Sequence, residues 1–170
     1  MEFCITGSYW YLPIPQIKLP FEGVININGC NRISGQTRDI LGLAEIKGYY
    51  SRLSHKNFYF FKQYLKNASS RYASPDPIFF SFSYREEKNL GYYYQGSWQI
   101  IADKKHDSKP ESPATEPDTE REYPNKMIEA ILHIIVASLF RGGNKVGECQ
   151  CVLSKTGIES AKQALKKPFQ

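Results

Sequence analysis

Residues 78–101 read IFFSFSYREEKNLGYYYQGSWQII, two segments of alternating character joined by a charged break. In the first, Ile78, Phe80, Phe82 and Tyr84 share one side and Phe79, Ser81 and Ser83 the other. In the second, Tyr92, Tyr94, Gly96, Trp98 and Ile100 oppose Tyr93, Gln95, Ser97 and Gln99. A period of two is the pattern of a strand, and REEKN supplies turn residues between the segments, so an antiparallel hairpin is expected. The face carrying Tyr92, Tyr94 and Trp98 is the expected inward one.

The same rhythm extends toward the N-terminus. NFYFFKQYL (57–65) places Phe58, Phe60, Lys62 and Tyr64 on one side and Tyr59, Phe61, Gln63 and Leu65 on the other. A strand that is apolar on both faces is expected to have something packed on each, or a lipid-like ligand on one. ILGLAEIKGYY (40–50) sets Ile40, Gly42, Ala44 and Ile46 against Leu41, Leu43 and Glu45, and such small residues suit a tightly curved sheet. In FEGVININ (21–28), Ile25 and Ile27 face away from Val24 and Asn26, and NGCN then turns the chain. The first twenty residues hold prolines at 13, 15 and 20, which forbid a helix and suit an extended or edge segment.

Six to eight short strands joined by hairpin-like turns, with no helix between them, demand antiparallel pairing. Full closure removes exposed edges. The expectation is therefore a mainly β protein, an antiparallel up-and-down β-barrel over residues 1–102, with a β-sandwich as the alternative. Residues 103–123, with three prolines and an acidic balance, lack aliphatic periodicity and are expected to be a flexible linker or loop. In residues 124–170 a C-terminal helix-strand-helix appendage is expected to pack on the barrel. Ile128, Ile131, Leu132, Ile135, Val136 and Leu139 recur at helical spacing over 125–140. VGECQCVL reads as a short strand, and TGIESAKQALKK as a helix opened by a Thr156/Glu159 capping box.

Composition bounds the function. The 170 residues are 41% hydrophobic and 14% aromatic with a net charge of +5, enough for a single domain with a real core. A charge of this size is ordinary, so nucleic-acid binding is not expected. Cys149-Gln150-Cys151 lacks the spacing of a zinc knuckle, and no metal site or cofactor is expected. AILHIIVASLF is too short to span a bilayer and carries His133. No basic-then-apolar leader opens the chain, so a soluble, cytoplasmic protein with free thiols is the expectation.

The stretch ISGQTRDILGLAEIKGYY, then FYFFKQY, then YYYQGSW, followed by linker, helix and one more strand, resembles the lipocalin and wider calycin group of small β-barrels. The resemblance covers roughly residues 21–101, and more loosely 125–153. It departs from the lipocalin pattern: GSYW at 7–10 lacks the Gly-x-Trp spacing, and GSW at 96–98 falls at the wrong end of the barrel. What the resemblance implies is an architecture with an apolar cup, not a particular ligand.

Candidate ligand-binding residues follow. Tyr92, Tyr94 and Trp98 offer stacking faces with polar tips, and Phe60 and Tyr64 share the aromatic interior; the alternative is a barrel filled by its own side chains. Lys62 interrupts an aromatic strand, where burial requires a partner or an anionic ligand. Arg38, near Arg32 and Asp39 at a strand end, suits a carboxylate or phosphate at the barrel mouth, or a solvated turn. No nucleophile accompanies His55, His106 or His133 in a recognisable arrangement, so no catalytic residue is assigned. The expected function is non-catalytic binding of a small apolar, aromatic or nucleotide-like ligand. The alternatives are a protein-interaction module or effector using the 125–140 helix, and a cyclase- or isomerase-like barrel enzyme. A homo-oligomer formed by exchange of that helix is a further expectation.

Overall fold

The computed structural model describes residues 1–12, 15–51, 56–70, 73–89, 91–101 and 146–167. The linker expected at 103–123, the helix expected at 125–140, and His55, His106 and His133 lie outside the described residues. Eight strands follow one another: β1 (Glu2–Tyr11), β2 (Leu19–Ile27), β3 (Arg32–Asp39), β4 (Gly42–Tyr50), β5 (Phe58–Ser69), β6 (Ile78–Lys88), β7 (Gly91–Ile100) and β8 (Val146–Ser154). A short helix, α1 (Ile158–Lys166), ends the described chain.

Every strand pairs antiparallel with its sequence neighbours, and β8 pairs with β1, closing an eight-stranded barrel. This is the architecture expected from the alternating pattern, and it is consistent with a lipocalin-like barrel. The first segment is no edge: β1 is bonded on one side to β2, with Cys4 opposite Val24, and on the other to β8, with Cys4 opposite Ser154. Pro15 comes after the strand, where a missing N–H does not interrupt a ladder. VGECQCVL is therefore the eighth stave of the barrel.

Inward positions alternate along each strand, and the core is aromatic. Phe60, Phe80 and Phe82 are among the fully buried side chains, and Phe58 stacks on Phe82 with centroids 4.7 Å apart. Glycines make room for this bulk. Gly147 lies opposite Trp98, and a Cβ there would sit 2.4 Å from the indole nitrogen. Gly48 lies opposite Phe60, where a Cβ would come within 2.7 Å of the Phe60 Cβ. Large and small residues thus alternate across strands, as the taper of a small barrel requires. Asn31 and Asn89 take left-handed backbone angles in the β2–β3 and β6–β7 turns, a conformation that Asn tolerates better than most residues.

The helix α1 lies on the outside of the sheet. Ala161, Ile158 and Leu165 form its apolar stripe and cover Cys4 and Val24, the outward residues of β1 and β2. The expected capping box does not form. Gly157 adopts φ 78° and is the N-cap, so the helix starts at Ile158, and no side chain caps it. Thr156 instead turns back, its N–H donated to the Ser154 hydroxyl oxygen at 3.0 Å. Glu159 pairs with Lys162, which also reaches Glu2. No helix among the described residues is long and apolar enough to cross a membrane.

Candidate functional site

The two ends of the barrel differ in chemistry. At the end where β1, β3, β5 and β7 begin, a hollow of about 120 Å³ opens among the strand ends. Buried Phe3, Ile27 and Leu153 form its apolar floor, and Tyr50, Tyr92 and Tyr94 its aromatic wall. Lys56 and Lys155 add two cationic groups at its edge, and no acidic residue is among its lining. The alternation of β7 places Tyr92 and Tyr94 together here: both point inward, Tyr94 deeper and Tyr92 nearer the opening.

The position of Lys56 is set by rings. Its ammonium lies 4.9 Å from the Tyr84 ring centroid and 4.8 Å from that of Tyr92, a cation held between two π faces. Glu87, 3.8 Å away, is an exposed and weak counter-charge. Burial, then the adjoining Tyr50 and Cys151, push the Tyr94 hydroxyl well above the ordinary tyrosine value, so it stays a neutral donor and acceptor.

The opposite end holds a closed polar cluster. Asp39 accepts hydrogen bonds at Oδ2 from the Tyr64 hydroxyl at 2.6 Å, the Tyr9 hydroxyl at 3.0 Å and the Lys62 ammonium, and at Oδ1 from the Leu41 N–H at 2.8 Å. Lys62 is only 2% exposed, and its ammonium also lies against the Tyr64 and Tyr9 rings. Burial, followed by neighbouring charge, raises both Tyr9 and Tyr64 well above the ordinary tyrosine value. The cluster satisfies its own charges within the interior, and the Thr37 hydroxyl on the same face of β3 finds no partner among the described residues. Chemically it is an ion pair clamped by two phenols and sealed from solute.

The candidates expected from the sequence therefore divide. Tyr92 and Tyr94 meet at the hollow. Lys62 and Tyr64 meet in the buried cluster at the other end, where Trp98 also lies, donating its indole N–H to the Trp10 carbonyl at 3.1 Å. Phe60 sits between the ends, packed in the core with its ring tilted against that of Phe80 at 5.2 Å. Arg38 points outward, because Thr37 and Asp39 on either side point in; it donates to the carbonyls of Leu165 and Lys167 at the end of α1. It also borders a second, more open hollow beside Glu22 and Pro20.

Sequence reasoning did not find Lys56, Lys155 or Tyr50, and it grouped Asp39 with Arg32 and Arg38 at a strand end, whereas the carboxylate turns inward and pairs with Lys62. Asp39 was legible in principle, since it shares parity with Ile33 and Thr37. Lys56 and Lys155 stand outside the strands, where no periodicity marks them. Among the described residues, no group of three or more His, Cys, Asp or Glu side chains is arranged to hold a metal ion. No family model matches the chain, and no curated protein or solved structure matches it significantly.

Proposed function

We propose that the chain is a non-catalytic binding protein that holds a small aromatic or nucleotide-like anion at the mouth of its barrel, between Tyr50, Tyr92 and Tyr94, with Lys56 and Lys155 receiving the negative group. The carrying observation is the coincidence, on one hollow, of an aromatic wall with two cations and no acid. Barrel mouths are common places for such sites. The size limits the guest: a cavity of roughly 150 Å³ takes a benzene ring, so a hollow of about 120 Å³ seats no more than part of one ring or a short acyl group, and the rest of the guest with its charge stays at the opening. The phenol rings supply flat apolar contact and polar tips that orient it. Lys56, already fixed between Tyr84 and Tyr92, loses little freedom on binding.

Calorimetric titration with benzoate, phenyl phosphate and adenosine monophosphate tests this reading. At least one is expected to bind with Kd of about 1 mM or tighter, more weakly at high salt because the contact is an exposed charge pair. Tyr92→Ala and Lys155→Ala should each abolish the heat while leaving the melting temperature nearly unchanged. Absence of binding by all three, or binding indifferent to both substitutions, refutes it.

A further inference from the structure

Lys56 stands at the mouth in a conformation that its residue type disfavours. Its backbone is left-handed, with φ 60°, as are those of Asn31 and Asn89. Asparagine tolerates that region through local hydrogen bonds of its short side chain, and lysine has no such means. Neighbouring bonds hold it there. The Ser51 N–H donates to the Asn57 carbonyl at 2.7 Å, and the Asn57 side-chain oxygen accepts the Tyr84 N–H at 3.0 Å. Tyr84 and Tyr92 then take the ammonium between their rings, 4.9 and 4.8 Å from the centroids. Strain of this kind persists only where the surroundings over-determine it, and it gathers at ligand clamps.

Lys155 reaches the same hollow from a different turn, the one that follows β8. It is exposed and has no ion pair among the described residues. Lys56 has Glu87 at 3.8 Å, but both are about half exposed, so that pair is screened and weak. An anion at the opening therefore meets two ammonium groups that little else neutralises. One of them suffices for a singly charged carboxylate or sulfate; the second finds a use only in a second negative charge. The kind of cation agrees. Arginine grips a flat carboxylate through two parallel bonds, whereas lysine acts as a point charge suited to phosphate, and among the described residues lining the hollow there is no arginine. Entry is ring first, because Phe3, Ile27 and Leu153 floor the hollow and the cations stand at its edge. A phosphotyrosine side chain, with its phosphate at the tip, would present the wrong end.

We propose that the mouth selects a small aromatic phosphate monoester over carboxylates and sulfates of the same size, and that Lys56 is the residue that reads the second charge. This choice of guest rests on the mouth being a binding site and adds the class of compound it takes. A phosphate monoester gains its second charge as pH passes about 6, so its affinity is expected to rise through that value. The charged and titratable groups around the guest are Lys56 and Lys155, the phenols of Tyr50, Tyr92 and Tyr94, Glu87 beside Lys56, and the Met1 amine, which donates to the Ile27 carbonyl at 2.7 Å. His55 precedes Lys56 in the sequence and lies outside the described residues. Phenyl sulfate, singly charged throughout, reports whatever these groups contribute. The difference between phosphate and sulfate reports the guest's own proton.

Calorimetric titration of the full chain with phenyl phosphate, adenosine monophosphate, phenyl sulfate and benzoate between pH 5 and 7.5 is the test. At pH 7.5 at least one of the two phosphates, which names the source of the group, is expected to bind roughly fivefold tighter than phenyl sulfate or benzoate, the scale of one added ion contact at 4 Å in water. The gap to phenyl sulfate should close toward pH 5. Lys56→Met, which keeps an apolar stem on the rings and removes the charge, should erase the gap at pH 7.5 while the singly charged compounds still bind through Lys155. Its melting temperature checks that it folds, and the pH series on the unaltered chain needs no variant. Binding of phenyl sulfate or benzoate as tight as that of the phosphates, a gap indifferent to pH, or a gap that survives Lys56→Met overturns the choice of guest and leaves the mouth site standing. Absence of binding by all four compounds defeats both.

Discussion

Lys62 shows how one residue can be conspicuous in a sequence while its partner is not. A lysine inside FFKQY breaks an aromatic strand, and the physics of burial demands a counter-charge. The structure supplies Asp39, which sits on a different strand and comes into reach only through the β3–β4–β5 register. Removing one partner strands the other in a dry interior at a cost of about 3–5 kcal/mol, whereas replacing both with apolar groups of similar volume can be neutral. Lys62→Met is therefore expected to lower the urea midpoint sharply, and Asp39→Leu added to it to restore part of the loss; additive losses would contradict the pairing. Gly147 gives a second expectation at this scale. An added methyl collides with the Trp98 indole, so Gly147→Ala should destabilise by about 1–3 kcal/mol, read as a lowered melting temperature.

Among the elements, β6 and β7 were readable because their outward residues are polar or only partly buried while their inward ones are rings. The opening strand hid its nature. Both faces of β1 are largely covered, the inner by the core and the outer around Cys4 by α1, so the two-residue period is lost in EFCITGSYWY. In β3 the inward Thr37 and Asp39 are polar, which masks a stave behind what looks like a turn. The helix α1 was expected within TGIESAKQALKK, but the capping box that signalled it does not form, because Gly157 rather than Thr156 opens it. Its attachment is measurable through a thiol. Cys4 lies beneath it, with its pKa raised by burial and then by Glu22, while Cys30 is exposed. In the intact protein a maleimide should label Cys30 first. Ala161→Asp, which puts a charge into the α1 contact, should bring the Cys4 rate toward that of Cys30; unchanged protection would show that α1 does not provide the cover.

For the molecule as a whole, alkaline pH is the revealing variable. Tyr9, Tyr64, Cys149 and Cys151 all bind their protons more tightly folded than unfolded, in each case chiefly because burial disfavours the charged form. Their contribution is complete below the unfolded values, about 8.5 for the thiols and 10 for the phenols. Above these, the unfolded chain releases protons that the folded chain keeps, and stability falls by about 1.4 kcal/mol per pH unit for each group. Urea midpoints measured from pH 8 to 11 should therefore decline with increasing steepness; a flat profile would mean that these groups reach solvent. The closed barrel itself was legible because eight stretches share one period. What no sequence pattern revealed is which end is hollow, since that depends on Lys56 and Lys155 meeting across the mouth from distant turns.

The seam between β1 and β8 carries a further consequence for the making of the protein. Residues near the start of the chain must wait for residues near its end, as Cys4 waits for Ser154, so a nascent chain leaving the ribosome holds seven staves with both flanks bare. Bringing such remote segments together makes the last step entropically slow, and a message truncated before Val146 would yield a sticky half-made cylinder prone to join its neighbours. Stitching the β8 segment ahead of Met1 by a short linker would turn the remote pairing into a local hairpin, and the refolding rate of that rearranged chain should rise accordingly.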